Sequence, residues 1–296
     1  NMMQRRHEKI IYENDRGERV EIAYSFPYLL QGFIGADGTD TNITSSKGVD
    51  EDGMTITNVN LQERPLQILG KIKENDKTAL SKRRAKLLQV FNPKVQGWLQ
   101  YEYGDVKRRI RCQVESAPVF SMPFKIFNVL DFIVYLVAPN PYWQDLSQNK
   151  TEIAIWKGAF EFPLELLEEG IELGYREPSL IVNVFNRGDV PCGMKIQFKA
   201  LATVVNPSLF NVNTREYFKI NKTMEAGEVI TVTTHFQNKR VELNKNGVVS
   251  NAFNWIDTTS TFLQLDVGDN LLRYDSDEGL GNLEVSIWYT PQYLGV

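Results

Sequence analysis

Residues 188–233 constrain the fold of this 296-residue chain more than any other segment. Apolar and polar residues alternate there in three separate runs, and alternation at a period of two is what a β-strand with one buried face requires. Turn-forming sequences around Asn206-Pro207 and Gly227 separate the runs. The segment therefore predicts an antiparallel sheet that folds back on itself repeatedly. The alternating residues are Met194, Ile196 and Phe198, then Phe218 and Ile220, then Ile230 and Val232.

The same alternation continues to residue 296 and includes a strong hairpin signal at Asn246-Gly247, because this dipeptide accepts the positive φ angles of a type I′ turn. About eight short strands without a helix are typical of a sandwich of the jelly-roll or lectin type. With two domains expected at this length, we predict a first domain over 1–143, a connecting segment over 144–178 and a C-terminal β-sandwich over 179–296.

The N-terminal half is also predicted to be mainly β, with one helix. Apolar residues at helical spacing place that helix at about 77–91, capped by Asn75 or Asp76 and ended by Asn92-Pro93. A hairpin is expected around Gly104-Asp105. Residues 32–53 are rich in Gly, Asp, Thr and Ser, which indicates a long loop with at most one short strand, a kind of segment that often serves as an interaction arm.

Composition argues against several classes of protein. The net charge is −4, so no sequence-wide basic field recruits nucleic acid or an anionic membrane. The most apolar run, about 127–138, is too short and too polar to span a bilayer, and the N-terminus leads into no apolar signal-peptide core. Cys112 and Cys192 fall in different predicted domains, so we do not expect a disulfide between them. We therefore expect a protein that is made in a cytoplasm and does not insert into membranes.

No pattern for catalysis, a cofactor or a metal emerges from the sequence. With only His7 and His235, and one cysteine per domain, neither a zinc site nor a Cys/His pair is indicated. The acidic run 275–279 predicts a polar turn, with a calcium loop as the weaker alternative. A glycosidase would need two carboxylates at a fixed separation, and the sequence sets no such separation among Glu242, Asp266, Asp277 and Glu284. The chain is expected not to be an enzyme.

The order of several short motifs resembles the distal tail proteins of long-tailed bacteriophages. In the C-terminal half these are Gly188-Asp189-Val190 before an alternating strand, Asn206-Pro207, the sequence 265–270 and the chain end 291–296. In the N-terminal half they are the hairpins, the single helix, the strand Gly-Trp-Leu-x-Tyr at 97–101, an arginine-bearing strand and a hydrophobic strand that closes on Pro-x-Pro-x-Trp at 139–143. The resemblance covers most of the chain and is weakest over residues 144–178.

This resemblance implies a structural role in a virion tail tip. The first domain would form a hexameric ring at the distal end of the tail tube, and the second, a galectin-like sandwich, would project as a platform for adsorption proteins. The implied partners are further copies of the chain, the tail tube protein, the tail hub protein and possible receptor-binding proteins, with DNA only passing through the ring. Synthesis would take place in the cytoplasm of the bacterial host. Residues 32–53 would then contact a neighbouring copy or the tube.

Two groups of side chains raise further hypotheses. Basic clusters on the helix and on the arginine-bearing strand could bind nucleic acid, but solvated charges and subunit contacts are the better interpretation because no basic footprint of domain size accompanies them. We therefore predict ring-interface charges at Arg83, Arg84, Arg109 and Arg111. Separately, exposed aromatic rings can stack on sugars, so glycan or protein contacts are predicted at Trp255 and Trp288. A module that binds host surface glycans is thus the alternative function.

Overall fold

The computed structural model describes residues 8–49, 52–121, 128–154, 156–158, 174–176 and 181–296. The chain divides into two compact units. Unit 1 comprises Asn1–Leu146 together with Tyr293–Val296, and unit 2 comprises Ser147–Gln292. The last four residues therefore pack with the N-terminal unit, although they follow the second unit in sequence.

Unit 1 is built on one antiparallel sheet with the strand order β2-β1-β7-β8-β10-β6-β3. β9 pairs with β10, β11 pairs with β8 and β26, and β4 and β5 form a separate two-stranded sheet. The elements are β1 Glu8–Asn14, β2 Arg19–Ile22, β3 Tyr28–Ile34, β4 Thr41–Ser46, β5 Thr55–Leu61, β6 Arg64–Lys73, α1 Lys77–Val90, β7 Gln96–Tyr103, β8 Val106–Val114, β9 Val119–Ser121, β10 Val129–Ala138, β11 Trp143–Asp145 and β26 Gln292–Tyr293.

The core of unit 1 forms where the alternating faces of this sheet meet helix α1. The helix begins after Asp76, whose side chain accepts a hydrogen bond from the backbone N–H of Ala79 at 2.8 Å and so satisfies a free donor of the first turn. Leu80 and Leu87 of the helix are buried against the sheet, as is Phe91 directly after it. The predicted helix and its Asp76 cap are thus confirmed.

Unit 2 contains two larger antiparallel sheets with the strand orders β12-β25-β16-β21-β22-β23 and β15-β24-β18-β19, plus the short pairs β13-β14 and β17-β20. Its strands are β12 Asn149–Ala154, β13 Trp156–Gly158, β14 Gly174–Arg176, β15 Ile181–Asn186, β16 Met194–Ala200, β17 Val204–Val205, β18 Ser208–Asn211, β19 Tyr217–Lys219, β20 Thr223–Met224, β21 Val229–His235, β22 Asn238–Lys245, β23 Val248–Asn251, β24 Gly268–Asp275 and β25 Leu283–Tyr289.

The inward faces of the two larger sheets supply one continuous core, which contains every alternating residue predicted in the segment 188–233. Two single-turn 3-10 helices, Phe253–Trp255 and Leu280–Asn282, are the only helices among the described residues of unit 2. A mainly β chain with one α-helix in unit 1 was predicted, and the structure confirms it. Most of the predicted connecting segment 144–178 lies outside the described residues, although β12 pairs with β25.

Two buried asparagines hold the turns of two short motifs in the C-terminal half. The Asn270 amide donates to the carbonyls of Val184, Asp266 and Gly268, while its oxygen accepts from the Asp266 N–H at 2.9 Å. Gly268 itself has a φ of 91°, which favours glycine. The sequence 265–270 is therefore a turn held by the side chain that ends it.

Asn186 does the same for the turn that contains Gly188. Its amide donates to the carbonyls of Val190 and Leu265, both at 3.1 Å, and its oxygen accepts from the Gly188 N–H at 2.9 Å. A Cβ at Gly188 would lie 2.5 Å from the carbonyl oxygen of Gln292, so no larger residue fits without a shift of backbone. These motif residues stabilise turns.

Candidate assembly surfaces

The feature of unit 1 that best fits an interaction role is the hairpin of β4 and β5, which we call the arm. Ile43 lies opposite Val59, and Ser45 lies opposite Ile56 after a one-residue register shift. On β4, Ile43 and Ser45 are two residues apart and point to the same side. On β5, the extra residue at the register shift brings Ile56, three residues from Val59, to that same side, so both pairs share one face of the arm. The other face carries only Asn, Thr and Ser side chains, namely Asn42, Thr44, Ser46, Thr55, Asn58 and Asn60.

The apolar face of the arm is open to solvent. Ile43, Ile56 and Val59 are 52%, 55% and 54% exposed, and neither strand carries a charged residue. Among the described residues, β4 and β5 pair only with each other. A two-stranded hairpin alone is marginally stable in water, and apolar groups clustered on an exposed surface mark interaction sites. The arm therefore has the properties of a segment that is covered by a partner.

The arginines predicted as interface charges lie on two separate elements. Arg83 and Arg84 belong to α1, where Arg83 forms an ion pair with Glu74 at 2.6 Å and Arg84 lies 5.0 Å from the centre of the Phe120 ring. The helix and the arginine-bearing strand β8 are thus two distinct basic surfaces. The hydrogen bond that Arg83 donates to the Glu74 carboxylate raises the pKa of Arg83, so this side chain stays charged.

On β8, Arg109 and Arg111 share the outward face, as predicted. The Arg109 guanidinium lies 4.4 Å from the centre of the Trp98 ring. Arg111 donates two hydrogen bonds to the Asp15 carboxylate, at 2.7 and 2.6 Å, and this pairing lowers the pKa of Asp15. A shallow groove of about 490 Å³ is lined by Arg109 and Asp15. Its other lining groups are mixed, with polar side chains such as Glu13 and Gln100 beside the apolar Ile11, Trp98 and Leu146.

Both tryptophans predicted to contact glycans or proteins are half-buried with lysines over their rings. The Lys195 ammonium lies 4.3 Å from the centre of the Trp288 ring, and that of Lys222 lies 5.1 Å from the Trp255 ring. Trp288 does lie on the face of β25 opposite the buried Ile287, as the alternation predicted. A lysine over a ring occupies a surface on which a sugar would stack, so this geometry favours packing within the sandwich.

Three of the groups considered for chemistry, namely Cys112, Cys192 and Asp277, are engaged in the fold. Burial raises the pKa of the Cys112 and Cys192 thiols to about 12, which makes both unreactive. The Asp277 carboxylate, in the candidate calcium turn, accepts from Asn206 at 2.7 Å and from the Lys219 ammonium at 2.9 Å. In the part of the chain that the structure describes, no group of three or more His, Cys, Asp and Glu side chains could hold a metal ion.

Two family profiles match the chain. The phage tail protein RIFT-related domain matches residues 15–138, and the siphovirus-type tail component C-terminal domain matches residues 187–293, so that together they cover most of the sequence. The chain belongs to the distal tail protein family of siphophages. Within this family it is a structural component of the phage tail or baseplate, and the resemblance drawn from the sequence motifs is confirmed.

Solved structures of the family share the fold. The crystal structure of the SPP1 Dit protein, described as a paradigm of the hub adsorption apparatus in phages that infect Gram-positive bacteria, is 12% identical with a TM-score of 0.69, and the match covers 96% of this chain and 98% of that one. A chain in the structure of the phage P2 baseplate in its activated conformation with Ca is 9% identical with a TM-score of 0.56, and the match covers 98% of this chain and 99% of that one. Identities this low establish a common fold alone.

A search of curated protein sequences finds no significant match. Among the described residues, no helix is both long and apolar enough to cross a membrane.

The sequence indicated β4 only as part of a polar loop over residues 32–53 with at most one short strand, and β5 lies outside that loop. The apolar face was missed, although Ile43, Ile56 and Val59 stand out in a region of Thr, Asn and Ser residues. Their spacing across a register shift and a long connection hides the pairing from any local pattern. Reading the two strands as one hairpin would have revealed the face.

Proposed function

We propose that this chain assembles through unit 1 into a closed hexameric ring at the distal end of a siphophage tail tube. In this proposal the ring joins the tube to the tail hub protein, DNA passes through the ring without specific binding, and unit 2 presents a platform to adsorption proteins. The protein acts by assembly and not by catalysis. It is made in the host cytoplasm and resides in the virion tail tip.

The arm is the observation that carries the proposal. Its apolar face is built, paired and exposed, and a second copy of the chain is the partner that a ring supplies at every position. Head-to-tail contacts between identical subunits close into a ring when the rotation between them permits it. The arm of one copy then covers a surface of the next copy, and each copy both donates and receives one arm.

The four arginines on α1 and β8 are proposed to add charge contacts between copies. Arg83 and Arg111 already hold acidic partners in their own chain, so a contact with a neighbour's acids would extend these pairs into networks. Such contacts set the register between subunits more than they increase affinity. Their effect should decline as salt concentration rises.

Matched substitutions on the two faces of the arm test the proposal. Ile43→Asn places an amide on the apolar face, whereas Thr44→Asn alters the polar face at the adjacent residue of the same strand. Light scattering with negative-stain imaging should show a six-fold ring for the wild type and for Thr44→Asn, and a monomer for Ile43→Asn. A wild type that remains monomeric at all concentrations, or equal assembly of both variants, would contradict the proposed role of the arm.

A further inference from the structure

The base of the arm is joined to unit 1 by two short links, residues 35–40 before β4 and residues 62–63 after β5. The two links are tied to each other by the Gln62 N–H, which donates to the Asp40 carbonyl at 3.0 Å, and by the Thr39 hydroxyl, which donates to the Glu63 carbonyl at 3.4 Å. These two bonds alone leave the arm free to tilt and leave its strands free to separate at the base. Further contacts of residues 35–40 must therefore hold the base of the arm.

Arg64, the first residue of β6, directly follows the second link and is 1% exposed. Its Nε donates to the Pro141 carbonyl at 2.7 Å, Nη1 donates to the Gly35 carbonyl at 2.9 Å and to the Asp37 carbonyl, and Nη2 donates to the Leu294 carbonyl at 2.6 Å. Burial lowers the pKa of Arg64, and the nearby Asp37 charge opposes this shift. One side chain thus joins the link before the arm to two other segments of unit 1.

One of those segments comprises residues 293–296, which we call the C-terminal segment. The Val296 N–H donates to the Ala36 carbonyl at 2.9 Å, inside the same link. Arg108 stacks on Tyr293, with 3.5 Å between its guanidinium carbon and the ring centre, and donates to the Gly295 carbonyl. Arg64 and Arg108 therefore hold the C-terminal segment, and this segment in turn holds the link at the base of the arm.

We infer that Arg64 and the C-terminal segment form an anchor that fixes the direction of the arm, and that ring assembly depends on this anchor. The inference rests on the proposed function, in which the arm binds a second copy. A strand of seven residues is about 23 Å long, so a tilt of about 10° at its base moves its tip by about 4 Å. Such a displacement exceeds what a packed apolar contact tolerates. Arg64 is thus a positioning residue for the assembly contact.

Two variants remove the anchor by independent routes. Arg64→Lys retains the charge, but a single ammonium group cannot reach acceptors that the planar guanidinium fork spans. Deletion of residues 294–296 removes the Leu294 and Val296 contacts and leaves Arg64 in place. The control is Arg240→Lys, a change of the same kind at an exposed arginine of unit 2. Thermal melts establish folding, hydrogen exchange of peptides within 35–63 reports on the arm, and light scattering reports on assembly.

We expect both anchor variants to fold, to exchange the amides of the arm about tenfold faster than the wild type while β10 exchanges at the wild-type rate, and to assemble poorly. Arg240→Lys should match the wild type in all three measurements. Unchanged exchange in the arm, or faster exchange with full assembly, would overturn the inference and leave the proposed ring intact. If Arg64→Lys does not fold, the deletion variant decides the result.

A wild type that never assembles would instead contradict the proposed function. Exchange would then still report whether the anchor restrains the arm, but the role of the anchor in assembly would be refuted with the ring itself. The two failures are therefore distinguishable by which protein loses assembly. An assembled wild type beside unassembled anchor variants is the result that supports both.

Discussion

Two hairpins of this molecule have nearly the same pairing and opposite environments. In the arm, Ile43 lies opposite Val59, and both side chains are exposed. In the hairpin of β21 and β22, Ile230 lies opposite Leu243, and both side chains are buried. Each pair joins an isoleucine to a branched aliphatic residue across an antiparallel ladder. The difference shows that pairing alone does not decide whether an apolar face is covered.

What differs is the number of layers around each hairpin. β21 and β22 have strands on both sides in a six-stranded sheet, and their inward face joins the common core of unit 2. Within the described residues, no further strand pairs with the arm and no second sheet covers its apolar face. The chain therefore completes the first hairpin by itself and leaves the second for a partner. Matched substitutions at the two isoleucines can test this distinction directly.

The largest effect is expected for Ile230→Ala in the buried hairpin. Removal of a fully buried isoleucine side chain loses its transfer free energy and leaves a cavity, at a cost of about 2–5 kcal/mol in the free energy of unfolding. Chemical denaturation followed by tryptophan fluorescence would measure it. A loss below about 1 kcal/mol would show that the core of unit 2 collapses readily around the missing atoms.

The next effect is expected at Glu228, which directly precedes β21 and forms an ion pair with the last residue of β22. Its carboxylate accepts from the Glu225 N–H and from Lys222, both at 3.0 Å, and lies 3.3 Å from the Lys245 ammonium. Burial alone would raise the pKa of Glu228, but these partners outweigh it and lower the pKa below its ordinary value of 4.5. Glu228→Gln should therefore lower stability at pH 7 by about 1–3 kcal/mol.

The pH dependence of that effect has a definite sign. Because the pKa of Glu228 is lower in the folded state than in the unfolded state, its contribution is present above about pH 4.5 and is lost as the pH falls further. The difference in melting temperature between the wild type and Glu228→Gln should thus shrink between about pH 5 and pH 3. A difference that stays constant over this range would exclude the ionised carboxylate as its source.

A smaller effect is expected at Gly247, in the turn that joins β22 to β23. Its φ is 81°, and no atom lies within 4 Å of where a Cβ would be, so Gly247→Ala introduces backbone strain without a clash. The expected cost is about 1 kcal/mol. Gly188→Ala offers the contrast, since its Cβ would meet backbone atoms of Gln292 and should cost more. Equal melting temperatures for the two variants would contradict this order.

The smallest effect on the stability of the monomer is expected for Ile43→Ala. Exposed substitutions away from special features change stability by no more than about 0.5 kcal/mol, although the same chemical change at Ile230 is severe. Assembly should nevertheless weaken, because the lost methyl groups face the proposed partner. A monomer of Ile43→Ala that is destabilised as strongly as Ile230→Ala would show that the arm is covered by its own chain.

Features governed by neighbours in sequence could be predicted. The Asp76 cap, the hairpin at Gly104-Asp105 and the positive φ angles of Asn246 and Gly247, 52° and 81°, all follow local rules. Val106 lies in phase with the buried Ile110 and Cys112 of β8 but is 40% exposed, because it is the first residue of its strand, directly after a turn. Alternation identifies the inward side of a strand but not how far the core extends along it.

Features governed by distant contacts could not be predicted. Arg64 meets Leu294 across 230 residues of sequence, and such a contact leaves no periodic or compositional trace. The same holds for the open face of the arm, which depends on the absence of a second layer. The interface arginines and the two tryptophans remain predictions, since their roles depend on partners that the sequence does not contain.

Because the C-terminal segment packs with unit 1, the contacts of unit 1 form in a fixed order during synthesis. Domains fold as they emerge from the ribosome, N-terminal parts first, so the sheet of unit 1 can pair long before residue 294 exists. Arg64 must wait for one of its acceptors until the whole of unit 2 has been translated. If the anchor controls the arm, a nascent chain cannot present a fixed arm to its neighbours prematurely. Polysomes crowded with half-made copies would thereby be spared from premature association.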